Sequence, residues 1–288
     1  MQKESVLIRV RGKIVLEDEM KKSLIYIILI VGGITFAYPF LWMVSMSFRP
    51  DIEISNIGLF SSNFTLENFQ AVFQKIPLMQ GLLNSLFVST CVTMSVIFFG
   101  SIVGYALSRL NFWGRDMIMG IILFTMVIPF QITLIPMYIL MVKFGWVDSY
   151  LALIVPGMIN AFGILLFRQF FVDIPQDLID AARIDGCNDF TILTRIIWPI
   201  SKPVIITVGI ISFMGAWNDV LWPLIVIRDE NLMTLPQLVT LFKVGGQSES
   251  QVGAQLAAAS FLAIPIIVLY SFFQRYFIES MASSGLKN

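Results

Sequence analysis

Two stretches of this 288-residue chain hold residue types that could do chemistry within an otherwise apolar sequence. The first is Trp217-Asn218-Asp219-Val220-Leu221-Trp222-Pro223, a carboxamide and a carboxylate bracketed by two indoles. A charge at mid-bilayer costs about 2.5–3.5 kcal/mol even on an insertion scale, so Asp219, read in the outer half of a helix, must face a partner or water. Pro223 has no N–H for the Asp219 carbonyl, which opens the helix at that point. The chemistry on offer is binding: a polar wall for a solute path, with Trp217 and Trp222 presenting flat apolar faces that suit sugar rings. The same residues could instead repair the broken helix or bind another span, or the indoles could serve as packing and interface anchors.

The second stretch, residues 180–199, is a charged interruption between two apolar runs. Pro175 followed by Gln176-Asp177 suits a helix start with an acid in its first turn. Gly186 is a natural left-handed stop for that helix. Asn188 or Asp189 can cap a second helix, in which Phe190, Leu193 and Ile197 recur at helical spacing. Trp198-Pro199 and Lys202-Pro203 are expected to close it. The product is an amphipathic helix–turn–helix beside a membrane, a shape fitted to docking a soluble partner.

Catalysis has little to work with. There is no histidine, and the two cysteines, Cys91 and Cys187, fall in a span and in a loop, so neither an imidazole acid–base set nor a Cys/His metal site is available. No Gly-x-x-x-x-Gly-Lys-Ser/Thr phosphate loop and no Gly-x-Ser-x-Gly elbow occurs. Energy for moving a solute uphill must come from another chain or from an ion gradient, and the docking shape of residues 172–203 favours another chain.

The elements that position these residues are membrane spans. The chain is 57% hydrophobic and 13% charged, with a mean hydropathy of +0.82, more apolar surface than a soluble domain of this length could hide. Six runs reach the roughly 20 residues needed to cross about 30 Å of hydrocarbon. They are 24–48, 82–107, 117–141, 151–171, 204–227 and 256–277, and the first reads as an anchor instead of a cleaved signal. The fold class is all-α and polytopic: a cytoplasmic segment over 1–23, a six-helix domain over 24–278 and a cytoplasmic tail over 279–288. With the N-terminus inside, 14 of the 19 basic residues lie inside, against Arg49, Lys75, Lys143, Arg228 and Lys243 outside. That asymmetry places both termini and the 172–203 loop in the cytoplasm. The zero net charge leaves no basic domain for a nucleic acid.

Outside, Thr65 can cap a short helix with Phe69 and Phe73 on one side, and the polar 245–250 part of the 228–255 loop suits contact with a soluble protein. Residues 1–20 either lie along the inner surface or are disordered. Six prolines fall inside spans and either kink a packed bundle or shape a path that opens and shuts.

The 180–199 stretch resembles the "EAA" loop of permease subunits in ATP-binding-cassette importers, whose pattern is Glu-Ala-Ala, three residues, Gly, nine residues, Ile-x-Leu-Pro. Here Asp180-Ala181-Ala182 precedes Gly186 by that interval, and Ile196-Ile197-Trp198-Pro199 follows. Asp180 stands where the pattern has Glu, and Trp198 where it has Leu. Tyr38-Pro-Phe-Leu-Trp42 with Ser47-Phe-Arg-Pro50, Gly104-Tyr-Ala-Leu-Ser-Arg109, Arg168-Gln-Phe-Phe171, Trp217 to Leu224 and Gln274-Arg-Tyr-Phe277 look like the carbohydrate-uptake branch, and the ending Ser284-Gly285-Leu286-Lys287-Asn288 resembles its second, maltose-type permease.

The resemblance implies the type I importer permease fold in a bacterial inner membrane. It implies a homologous permease, an ATPase dimer that binds ATP and magnesium, an external solute-binding protein and a carbohydrate substrate, with no cofactor in this chain. It further implies that Asp180, Ala181, Ala182, Gly186, Asp189 and Pro199 couple to the ATPase, joined by Gly285 and Lys287 of the tail, and that the 232–252 loop meets the binding protein. Trp217, Asn218, Asp219 and Trp222 are the expected substrate-path residues. The competing readings are a helix pair resting on lipid headgroups, which would be richer in Lys and Arg, and a gradient-driven carrier of small polar solutes, which would favour more intramembrane charge.

Overall fold

Prolines and polar residues decide where the apolar runs bend. The computed structural model describes residues 2–50, 53, 63–244 and 251–285, and every regular element among them is helical. Lys287 and the 245–250 part of the external loop lie outside the described residues. The chain divides into two compact units, Met1–Ala71 with Ser250–Ser260, and Val72–Glu249 with Phe261–Asn288.

In the first unit α1 (Gln2–Ser47) is one continuous helix, so the N-terminal residues extend the first span. From Leu24 to Leu41 its large apolar residues are exposed, as for a helix meant for lipid or for another chain, whereas Met46 near its end is buried. After it, Asn68 donates to the carbonyls of Ser47 and Arg49 at 3.0 and 2.6 Å. The expected Thr65 cap is present: its Oγ accepts from the Glu67 N–H at 3.2 Å at the start of α2 (Glu67–Lys75).

The second unit is built on α3 (Leu78–Arg109). The run expected at 117–141 is two helices, α4 (Arg115–Val127) and α5 (Phe130–Phe144), bent by 102°. Pro129 forces Ile128 into an extended conformation, which ends α4. The next run breaks between α6 (Tyr150–Ile154) and α7 (Ala161–Val172). Asn160 restarts it by accepting from the N–H groups of Phe162 and Gly163 at 2.8 and 3.2 Å.

The run expected at 204–227 stops at Trp217. α11 (Lys202–Trp217) and α12 (Leu221–Val226) flank a break, and Asp219 lies in that break, not in a helix as expected. The reason is Pro223, which cannot supply the bond that Asp219 would need from the next turn. Beyond α12, α13 (Leu235–Val244) packs along α3, and α14 (Val252–Gly285) is the last described helix. Among the described residues four helices are long and apolar enough to cross a membrane, or up to six if each bent pair is one span.

α3 and α7 cross at glycine. A Cβ at Gly104 would meet Phe167 Cβ at 2.7 Å and the Arg168 backbone nitrogen at 3.0 Å, so only glycine allows the two backbones this approach.

Candidate functional site

The loop between the fourth and fifth spans folds as a helix pair. α8 (Gln176–Ile184) begins after Pro175 and ends at Gly186, whose φ is +81°. There the Gly186 N–H donates to Arg183 O and the Cys187 N–H to Ala182 O, each at 3.0 Å. This is the paired-bond helix stop that a left-handed residue makes possible. The second helix, α9 (Asp189–Ile192), is capped by Asn188, whose Oδ1 accepts from the Thr191 N–H at 2.8 Å.

The pair closes between Trp198-Pro199 and Lys202-Pro203, as expected. A π-helical turn over Leu193–Ile197 leads into α10 (Trp198–Ile200), and the chain turns by 86° at Ser201 into α11. An α-helix at this point would drive the Pro199 ring into the Arg195 carbonyl, and the wider π turn relieves that clash. Pro199 therefore lies in the last turn of an element that ends at Ile200.

The pair has two faces. Ile179, Ala182, Ile192, Leu193 and Ile197 are buried in the core that also holds Phe167 and Phe171. The other face exposes Ile184 at 87% and Phe190 at 57% on either side of Gly186. The adjacent alanines part company, Ala182 turning inward and Ala181 outward. Asp180 is outward and occupied within the chain: it accepts from Gln176 at 3.0 Å and lies 3.9 Å from Arg183. Arg183 also donates to Asp189 at 3.1 Å, and that bond pushes its pKa up. Asp189, expected as a possible cap and as an ATPase-coupling residue, accepts from Arg183 and from the hydroxyl of Tyr105 on α3, each at 3.1 Å.

A cavity of about 550 Å³ opens among the broken spans of the second unit. Its wall includes Phe130 after the first break, Asn160 at the second, and Asp219 with Trp222 at the third, together with Thr133 and Ser212. Non-helical backbone at membrane depth is tolerated where it lines such a space. Asp219 Oδ1 also accepts from the Trp222 N–H at 3.4 Å, so it both faces the cavity and steadies the start of α12. Trp222 donates its indole N–H to Ala152 O at 2.8 Å and offers the cavity carbon surface only.

The other two expected path residues lie elsewhere. Trp217 is fully buried and stacked on Phe213, with ring centroids 5.8 Å apart, and Asn218 donates back to Met214 O at 2.9 Å. Thr133, Asn160 and Ser212 went unnoticed in the sequence. A signal existed for Asn160, because Pro156-Gly157 three residues earlier already weakens a helix there.

Comparison with known proteins agrees with this geometry. Residues 96–283 match the family described as binding-protein-dependent transport system inner membrane component. The chain is similar to the arabinooligosaccharides transport system permease protein AraQ of Halalkalibacterium halodurans, at 35% identity over 87% of this chain and 91% of that one. It is similar to the trehalose/maltose transport system permease protein MalG of Thermococcus litoralis, at 31% identity over 94% and 99%. Among solved structures it resembles a bacterial ABC transporter involved in the import of the acidic polysaccharide alginate, with a TM-score of 0.76, 25% identity and coverage of 91% and 98%. With broken spans around a cavity, an amphipathic helix pair between two of them and no ATP-hydrolysing motif of its own, this helical chain belongs to the binding-protein-dependent transport system inner membrane components, the permease subunits of ABC importers.

Proposed function

We propose that this chain, paired with a homologous permease, forms the path by which an uncharged sugar or oligosaccharide enters a bacterial cell. The observation that carries the reading is the cavity: saccharide-sized, bounded by three broken spans, and lined by amide, hydroxyl and carboxylate groups with apolar faces between them. Asp219 is the one ionisable residue on its wall, and no Lys or Arg lines it among the described residues. Such a wall suits neutral hydroxyls and repels an acidic polysaccharide.

The energy enters through the helix pair. A dimer of ATP-binding-cassette ATPases, holding ATP and magnesium in its own sites, docks on the face around Gly186, with Asp180, Ala181, Ala182, Asp189 and Pro199 shaping the contact and Gly285 and Lys287 reaching it from the tail. The distribution of basic residues supports placing both termini and this face in the cytoplasm. An external solute-binding protein delivers the sugar to the 232–252 loop. Closure of the ATPase dimer then shifts the population between inward- and outward-open packings.

The test is to copurify the assembled complex and to measure ATP hydrolysis with neutral oligosaccharides and with oligouronates, each offered on its binding protein. Stimulation by a neutral saccharide is expected. Stimulation by oligouronates alone would overturn the substrate class, and sugar transport by the chain without any ATPase would overturn the mechanism.

A further inference from the structure

Ser101, Tyr105 and Arg109 recur every fourth residue on α3 and so lie along one face of the helix. Each meets a different piece of the 172–203 loop. The Trp198 indole N–H donates to Ser101 Oγ at 3.1 Å. The Tyr105 hydroxyl donates to Asp189 Oδ1 at 3.1 Å. Arg109 donates through Nη1 to Gln176 Oε1 at 2.9 Å, and through Nη2 to the carbonyls of Phe171, Val172 and Ile174. The loop closes the circuit on itself, from Gln176 to Asp180, to Arg183 and to Asp189.

Ser101 and Tyr105 are buried on the α3 side, so water reaches their two bonds from the loop side only. The neighbouring stripe of the same helix carries Val88, Val92 and Val96, which line the cavity. One rigid helix therefore touches the solute space with one half and all three segments of the helix pair with the other. Trp198 stands where the resembled pattern has Leu, and its bond to Ser101 is one that a leucine could not make.

We propose that Ser101, Tyr105 and Arg109 are positioning residues that lock the helix pair to α3, so that displacement of the pair is delivered through α3 to the cavity wall. This rests on the reading that the pair docks an ATPase. The three contacts act as rungs, fixing the register of α10, α9 and α8 in turn. Without them the apolar packing of the pair remains, but the pair can slide on α3 instead of moving it.

The experiment uses the reconstituted complex with its ATPase and binding protein, and reads sugar imported per ATP hydrolysed. Tyr105→Phe keeps the buried ring and removes only the hydroxyl, and Trp198→Phe keeps an aromatic ring and removes the N–H. Each should lower the ratio by about three- to tenfold, the factor expected for one net hydrogen bond. Asp189→Ala combined with Tyr105→Phe should be no worse than Asp189→Ala alone, because both break the same rung. A structural role alone would reduce the amount of assembled complex and leave the ratio unmoved.

Unchanged ratios in both single variants, or additive losses in the double variant, would overturn the lock. Gly186→Val, assayed in parallel, separates this from the reading beneath it. If Gly186→Val uncouples while Tyr105→Phe and Trp198→Phe do not, docking stands and the lock falls. If Gly186→Val transports normally, the docking reading itself falls, and the lock with it.

Discussion

Along the half of α3 that carries Val88, Val92 and Val96, the neighbours are interrupted helices around a cavity. Along the half from Gly100 to Arg109 they are a helix at backbone distance and a loop held by hydrogen bonds to Ser101, Tyr105 and Arg109. The helix is the same and its residues are comparably apolar, so the difference comes from what is set against it. Where the partner spans are interrupted near Pro129, Asn160 and Asp219, the side chains of α3 are left beside a gap. Where the partner is α7, the glycines of α3 abolish the gap. The proposed mechanism needs both, a space that can change and a connection that cannot stretch, and the cavity and the hydrogen-bonded loop are stacked along one rod.

The sharpest way to break this comparison is to make the same substitution on both sides of it. Gly104→Ala puts a methyl group 2.7 Å from Phe167 Cβ and 3.0 Å from the Arg168 backbone nitrogen, which forces α3 and α7 apart. Overpacking of this kind costs about 1–3 kcal/mol. Gly215, on α11 and on the cavity wall, has nothing within 4 Å of the same methyl position. Gly215→Ala should be neutral or stabilising by up to about 1 kcal/mol, from helix propensity alone. Thermal unfolding of the detergent-purified complex reads both. Equal losses would mean that the cavity half is as tightly packed as the crossing.

A second substitution pair sharpens what the helix pair requires at its turn. Nothing lies within 4 Å of a Cβ at Gly186, so the constraint there is conformational, not steric. An ordinary residue held in the left-handed region costs about 1–2 kcal/mol, whereas Asn visits it routinely. Gly186→Val should therefore lower sugar imported per ATP well below Gly186→Asn. Equal loss in both variants would show that the bare surface at Gly186, and not its backbone, is what the partner needs.

The reach of the sequence follows the same division. The end of α8 at Gly186 and the Asn188 cap were legible because each is settled within a few residues by backbone conformation and a side-chain oxygen. The interruption near Asp219 was legible from Pro223 for the same reason. Its consequence was not, because whether Trp217 turns to the cavity or onto Phe213 depends on how α11 packs. The close of the pair near Pro199 was legible as well, but the π turn that lets Pro199 lie within its last turn was not. The rungs from Ser101, Tyr105 and Arg109 were out of reach, since their partners lie 97, 84 and 67 residues away and no periodicity links them.

The smallest expected effect concerns a contact that mirrors Arg109. At one corner of the second unit a guanidinium gathers backbone carbonyls; at another, the Asp148 carboxylate gathers the backbone N–H groups of Arg228 and Asp229, the latter at 3.0 Å. Asp148 itself is in the left-handed region, with φ of 57°, and its own N–H donates to Val226 O at 2.9 Å. It stitches the turn before α6 to the segment after α12, and those two hydrogen bonds hold its pKa below the ordinary carboxylate value. A depressed pKa contributes stability that is present above the unfolded value, about 3.9, and is lost as pH falls through the folded one. The stitch is thus intact at neutral pH and fails only in acid. Asp148→Asn keeps an acceptor oxygen and tolerates the same backbone conformation but cannot titrate, so it should flatten the acid limb of the unfolding profile with little change at pH 7. Asp148→Ala loses the acceptor as well and should unfold at lower temperature throughout. An Asn variant that retains the full acid sensitivity would assign that limb to other carboxylates and leave Asp148 as a hydrogen-bond acceptor whose charge does not matter.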